Sequence, residues 1–291
     1  MFVRRERFSF DLAGEECVLG ERTWLMGVLN VTPDSFSDGG RASNVDAALR
    51  LGLELAEDGA NIIDVGGEST RPGAAAISAG EERSRVVPVI DGLVRRGVAR
   101  VSVDTTKAEV ADAALDAGAS IVNDVSALSF DAEMAPLVAR RGAAAVLMHL
   151  RGTFGEMHRS PLYTDVMGEI VSELGARVAA AVVAGIPRRK LLVDPGVGFS
   201  KTATHSLEAL RRLHELAALG CPVLVGPSRK SFIGAVLDVP VQGRLFGTAS
   251  AVAAAVLGGA HVVRVHDVRE MREVARIADA ILDAGFGAQA A

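Results

Sequence analysis

The chain has 291 residues, is 49% hydrophobic but only 4% aromatic, and carries a formal charge of −5. Aliphatic and alanine packing must therefore build the core, which suits layered α/β architecture better than a β-sandwich. With no long basic run there is no electrostatic footprint for nucleic acid or for an acidic membrane surface, although a few local arginines can still serve an anionic small substrate. Cys17 and Cys221 stand far apart with no second cysteine near either, so neither a disulfide scaffold nor a thiolate zinc site is indicated, and free thiols in a reducing cytoplasm are the expectation. The first residues, "MFVRRERFSF", lack the apolar run of a signal peptide.

In chain order, "RERFSFDL" and "ECVLGERTW" read as a β-hairpin. Short apolar runs follow: "WLMGVLN", "NIIDVGG", "RVSVDTT", "SIVNDVS", "AAAVLMH", "KLLVDPG", "PVLVGPS" and "HVVRVHD". Most are continuous rather than alternating, as expected of strands covered on both faces. Helical patterns lie between them, among them "NVDAALRLGLELAEDGA", "TKAEVADAALDAGA" and "LEALRRLHELAALG". The last, "DVREMREVARIADAILDAG", has Asp267 at a cap position and an apolar stripe of Met271, Val274, Ile277, Ala278, Ile281 and Leu282. The most apolar stretch, "GTASAVAAAVLGGAHVVRVH", breaks at Gly258-Gly259 and contains His261. It reads as a buried helix and a buried strand rather than a membrane span of about 20 residues.

Eight strands alternating with helices predict an α/β fold, a (β/α)8 TIM barrel, for which about 250 residues is typical. The hairpin of residues 1–23 is an extension placed to close the barrel bottom, and 1–291 is expected to be one domain. A doubly wound sheet is the rival architecture, with fewer strands and one phosphate loop at a switch point. Every strand here ends in a polar or glycine-rich tip: Asn30, Asp64, Asp104, Asn123 with Asp124, His149, Asp194, Ser228 to Lys230, and Arg264 with His266. A closed barrel brings all of these to one rim, where active sites of this architecture sit. Arg264 and His266 alternate on the last strand and therefore face the same way, as a pair suited to an anion. For Asp104, followed by "TTKAEV", a local helix-capping turn through Thr105 or Thr106 is a competing use of the segment. "GVGFSKT" is not a phosphate-binding loop, because Ser200 stands where that motif needs glycine and its glycine spacing is wrong.

The segments "LNVTPDSFSDGG", "DVGGESTRPGA", "SVDT", "NDVS", "DPGVGFSKT", "GPSRKSFIG" and "RVHDV" occur in this order, each on its expected strand end. From about Trp24 to the last helix the chain resembles dihydropteroate synthase, the folate-pathway enzyme targeted by sulfonamides. "DVGGESTRPG" and "SRKSFIG" together, at barrel positions, are highly specific.

The resemblance implies a transferase that condenses (7,8-dihydropterin-6-yl)methyl diphosphate with 4-aminobenzoate, with Mg2+ assistance, to give 7,8-dihydropteroate and diphosphate. It also implies a cytoplasmic homodimer. Asp194 matches the carboxylate that accepts the guanidine-like edge of the pterin, a geometry suited to paired charge-assisted hydrogen bonds. Asp104, Asn123, Met148 and Lys230 match the rest of the pterin site. Asn30, Arg71, Arg264 and His266 match the diphosphate site, and Asn30 also matches the Mg2+ contact. Since one amide is a poor magnesium site, water and diphosphate are expected to supply the other ligands. Thr70, Pro72, Phe199, Lys230 and Ser231 match the 4-aminobenzoate site. Phe36 and Asp38 match a mobile loop that excludes water from a cationic intermediate. Lys230, Arg264 and His266 join Phe36 and Asp38 as the residues implied to act in catalysis.

The chain departs from the family pattern in three places. Gly152, Phe154, Met157 and His158 occupy a segment that usually reads Gly-x-Pro-x-x-Met-Gln, His205-Ser206 replaces His-Asn, and Ser200 replaces a glycine. Two other functions fit a pterin-holding barrel: a methyltransferase passing a methyl group from a reduced folate to a corrinoid protein, and a non-catalytic paralogue that binds pterin or another partner. The first has no need of "STRPG", "SRKS" or a diphosphate site. The second is opposed by the presence of Asn30, Arg71, Lys230, Arg264 and His266.

Overall fold

The computed structural model describes residues 3–12, 15–32, 41–69, 76–153, 156 and 162–287. The hairpin is β1 (Phe8–Leu12) paired antiparallel with β2 (Glu15–Leu19). Eight parallel strands follow: β3 (Trp24–Asn30), β4 (Ile62–Gly66), β5 (Val101–Asp104), β6 (Ile121–Asp124), β7 (Ala144–Met148), β8 (Leu191–Asp194), β9 (Leu224–Val225) and β10 (Val262–Val265). They run in the order β8-β7-β6-β5-β4-β3-β10-β9. The ring closes through a bridge between Val193 and Val223 and the bond from Val193 N–H to the Pro222 carbonyl, 3.0 Å. The expected barrel is present, and all eight expected strands are in it.

Helices α1 (Arg41–Glu57), α2 (Ala79–Arg95), α3 (Ala108–Asp116), α4 (Met134–Arg141), α5 (Val166–Val183), α6 (Ala203–Arg211), α7 (Ser231–Leu237), α8 (Leu245–Leu257) and α9 (Val268–Gly287) complete the fold. No described helix is long and apolar enough to cross a membrane.

Strand alternation divides the apolar residues into two cores. Leu29, Ile63, Val65, Val103, Val122, Leu147, Val193 and Val263 pack outward against the helices. Trp24, Met26, Ile62, Ile121, Ala144, Val146, Leu192, Leu224 and Val262 form a separate cluster with Phe10, Leu12, Cys17 and Leu19 of the hairpin. The hairpin thus plugs the N-terminal end of the barrel, as the sequence suggests. Beside it, Arg5 pairs with Asp279 of α9 at 2.5 Å, and the same carboxylate accepts the Thr23 N–H at 2.8 Å. With its bottom sealed by apolar side chains, the barrel presents its polar residues at the opposite end.

The stripe on α9 differs from expectation. Met271, Ala275, Ala278 and Leu282 are buried, whereas Ile277 is 66% exposed and Ile281 42% exposed. The helix packs against β3 and α8 on the Met271, Ala275, Ala278 and Leu282 face, and the two isoleucines fall on the edge turned away from that contact. The Asp267 carboxylate is engaged by the Arg229 guanidinium.

Candidate active site

At the C-terminal rim, alternation turns Asp64, Asp104, Asn123, Asp194 and Arg264 inward while their neighbours pack outward. Arg264 Nε donates to Asp64 Oδ2 at 2.6 Å, and its Nη2 donates to Asp104 Oδ2 at 2.8 Å. Asn123 Nδ2 donates to the same Asp64 oxygen at 2.9 Å. One guanidinium therefore bridges two carboxylates, which repays part of the cost of burying three charges. Burial raises the Asp104 carboxyl to about 7, opposed by Arg264 and reinforced by Asp64. The Thr105 hydroxyl accepts the Lys107 N–H at 3.2 Å, so the local turn before α3 is present, while the first N–H of α3, from Ala108, is taken at 2.8 Å by Asp131 and the Asp104 carboxylate is engaged by Arg264.

Across the pocket stand Asp194, Lys230, Met148, Val125 and Phe199. Asp194 Oδ1 accepts the Gly196 N–H at 2.7 Å, so its local bond is a turn within the loop. The next helix, α6, is capped instead by Thr202 and His205. Burial pushes Asp194 up to about 6, against the pull of the Gly196 bond and Lys230. Burial likewise brings Lys230 down to about 7; Arg264 adds to the effect, and Asp194 and Asp104 oppose it. Lys230 Nζ lies 3.7 Å from the centre of the Phe199 ring, a cation–π contact in its charged form.

Gly196 is required by space as well as by its φ of +66°: a Cβ there would lie 2.1 Å from the His149 carbonyl oxygen. The turn before Lys230 holds Arg229 at a left-handed φ of 59°. Asp267 pins its side chain, and Arg244 Nη1 donates to its carbonyl at 2.9 Å. The arginine of "SRKS" therefore shapes the turn that presents the lysine.

The remaining expected residues divide. Met148 and Asn123 line the pocket, whereas Asn30, half-buried at the end of β3 opposite Gly66, is not part of that lining. His266 Nδ1 lies 3.0 Å from Ser228 Oγ, and burial, then Arg264, lowers it to about 3. It is thus a neutral hydrogen-bonding group, not a second cation beside Arg264. Ser231 is exposed at the first position of α7. Phe36, Asp38, Thr70, Arg71 and Pro72 lie outside the described residues.

Sequence reasoning marked Asp64 only as a strand tip, yet it is fully buried and anchors both Arg264 and Asn123. The signal was the alternation Ile62, Asp64, Gly66, which turns Asp64 to the same side as Ile62. His149 and Lys201, also unassigned, are buried just behind the pocket.

A family model described as pterin binding enzyme matches residues 26–266. A dihydropteroate synthase of Synechocystis sp. is 45% identical over 263 residues, 90% of this chain and 91% of that protein. The chain belongs to the dihydropteroate synthase family. Dihydropteroate synthase of Xanthomonas albilineans, solved with 4-aminobenzoic acid, superposes with a TM-score of 0.88 at 43% identity, covering 95% of this chain and 98% of that one. The same enzyme in complex with 7,8-dihydropteroate gives 0.84 at 41% identity, with the same coverage. As a dihydropteroate synthase the chain is an enzyme of the transferase class in folate biosynthesis.

Proposed function

We propose that this rim joins (7,8-dihydropterin-6-yl)methyl diphosphate to 4-aminobenzoate. The observation that carries the reading is the single pocket lined by Asp104, Asn123, Met148, Asp194, Phe199, Lys230 and Arg264. The guanidine-like edge of the pterin donates to Asp194, Asn123 and Asp104 complete that edge, and Lys230 donates to the ring carbonyl side. The methylene C–O bond breaks with its electron pair leaving on diphosphate, and the cation spreads into the pterin. The amine lone pair of 4-aminobenzoate then forms the C–N bond, and an amine proton departs. No strong base is needed, because a neutral aniline is already the nucleophile; the protein supplies orientation. Phe199, Lys230 and Ser231 flank the 4-aminobenzoate side, and Arg264, His266 and Asn30 face the diphosphate. By resemblance to the family, Thr70 and Pro72 are assigned to 4-aminobenzoate, Arg71 to the diphosphate, and Phe36 and Asp38 to the cation; these five lie outside the described residues.

The residues fit a magnesium ion carried by the substrate. Asn30 ends β3 opposite Gly66 of β4, where a Cβ on Gly66 would meet Asn30 Oδ1 at 3.6 Å, an ordinary contact, so the amide oxygen stands at the rim between the two strand tips. Among the described residues no cluster of three or more His, Cys, Asp or Glu could hold a metal by itself. Asn30 would supply one ligand, with water and diphosphate supplying the rest, and the ion would neutralise charge on the leaving group.

We also propose a homodimer, supported by an apolar groove between α6, α7 and α8 in which Leu207, Val236 and Leu237 are exposed, with Phe246 83% exposed on α8. The two free, buried cysteines support a cytoplasmic setting. The test is to mix protein, pterin diphosphate, 4-aminobenzoate and Mg2+ and look for dihydropteroate by mass. Absence of product from folded protein would favour the non-catalytic paralogue, and methyl transfer to a corrinoid would favour the methyltransferase.

A further inference from the structure

Behind the Phe199 wall lies a line of polar groups with no role in the reaction as described. Lys201, between β8 and α6, is only 8% exposed. Its Nζ donates to the Phe199 carbonyl at 3.2 Å and to His149 Nδ1 at 2.9 Å. His149, also buried, sets its Nε2 3.1 Å from Glu173 Oε2 on α5. A donor at Nδ1 places the imidazole proton on Nε2, facing the carboxylate. The imidazole is held neutral, lowered to about 3 chiefly by burial and then by Lys201. The Lys201 amine is itself brought down to about 7 by burial. Two donated hydrogens exist on the amine as well as on the ammonium, so the tie to Phe199 does not depend on charge.

The segment being held needs holding. Ser200 sits at a φ of 47°, in the left-handed region that favours glycine. Its Oγ donates to the Arg151 carbonyl at 2.6 Å and accepts the Arg151 N–H at 3.2 Å, and the Tyr163 hydroxyl donates to the Ser200 carbonyl at 3.1 Å. The Arg151 guanidinium in turn pairs with Glu173 and Glu169. The strained backbone that carries the Phe199 ring is thus tied to the layer behind it through Lys201, His149, Arg151, Tyr163 and Glu173.

We propose that Lys201 is a positioning residue for the condensation: by gripping the Phe199 carbonyl from behind, it fixes the ring against which 4-aminobenzoate and Lys230 are placed. This rests on the reading that Phe199 lines the 4-aminobenzoate side. Wild-type turnover of both substrates in the same assay holds that reading fixed, so a change confined to the variant reports on Lys201 alone.

The test uses full-length Lys201→Met at pH 8, above the value of about 6 to which burial raises the Asp194 carboxyl. Both substrates are varied, with Mg2+ present. The expected result is a KM for 4-aminobenzoate raised roughly tenfold or more, with the KM for pterin diphosphate within about twofold of wild type. Glu173→Gln, on a side chain 42% exposed that faces His149 and Arg151, is expected to move the same KM in the same direction by about threefold. It decides the matter if Lys201→Met does not fold. Equal rises in both KM values would mean a merely structural role and would overturn the proposal, as would a 4-aminobenzoate KM unchanged in both variants.

Discussion

Asp194 and Arg264 are both charged residues at the barrel rim, yet their substitutions separate. Asp194 accepts one local bond, from the Gly196 N–H, and among the described residues its other oxygen has no hydrogen-bond partner. Asp194→Asn removes a charged acceptor and is expected to raise the pterin KM roughly 10- to 150-fold, from about 1.5–3 kcal/mol of charge-assisted bonding, as steady-state kinetics will show. Because burial holds this carboxyl at about 6, pterin affinity is also expected to fall as pH drops through that value, a trend isothermal titration can follow. Arg264→Ala, read from sequence alone, should mainly slow the chemistry of diphosphate release. The structure adds a second effect, since the change strands Asp64 and Asp104 in the barrel without their shared partner. Unfolding free energy is expected to fall by about 3–5 kcal/mol, measurable by denaturant titration. Asp64 eluded residue-level reading because its importance is relational: it matters through Arg264, 200 positions away.

Among the elements, the strands were legible and the helix faces less so. Continuous apolar runs ending in polar tips announce buried parallel strands, and alternation then assigns each side chain to the lumen or the outer layer. For α9 the period of the apolar residues was clear, but which edge of the stripe is buried depends on where β3 and α8 stand against it. The hairpin offers a clean test of the two-ended barrel. Phe10→Ala opens the sealed bottom and is expected to cost about 3–5 kcal/mol of stability in thermal or urea unfolding, with both KM values unchanged. If the KM values move as well, the two ends of the barrel are coupled more tightly than the separate cores imply.

For the whole molecule, the site leaves a mark on stability. Asp104 and Asp194 rise from 3.8 to about 7 and about 6 on folding, so their neutral forms favour the native state. That contribution is complete below pH 3.8 and is lost as pH climbs through 6 and 7. Lys230 and Lys201 fall from 10.5 to about 7, so their contribution is complete above pH 10.5 and is lost as pH descends to 7. Three buried imidazoles act in the opposite sense to the carboxyls: His149, His261 and His266 are lowered from 6.5 to about 3, about 4 and about 3, so their contribution grows as pH climbs to 6.5 and offsets that of the two carboxyls. The net expectation for the substrate-free enzyme is a rise in stability from pH 7 toward 10.5. Asp194→Asn should remove that carboxyl's own acid-side contribution, on the order of 1–3 kcal/mol, in a pH series of thermal melts. At the same scale, Phe246→Glu, on the exposed start of α8, is expected to turn the proposed dimer into a monomer by sedimentation, with the barrel still folded.

The sequence by itself determined the barrel, the order of its strands, the sealed hairpin end and the residues gathered at the rim. Apolar period and polar tips are local, and a closed ring of parallel strands has one end at which such tips can meet. Only the tertiary structure decided how those residues divide their labour. It shows Arg264 spent on two carboxylates, His266 neutral against Ser228, Arg229 holding a turn, and Lys201 gripping the Phe199 backbone. Each of these depends on which distant group stands within about 3 Å, and on how much water is excluded there. Neither quantity is written in the spacing of a motif.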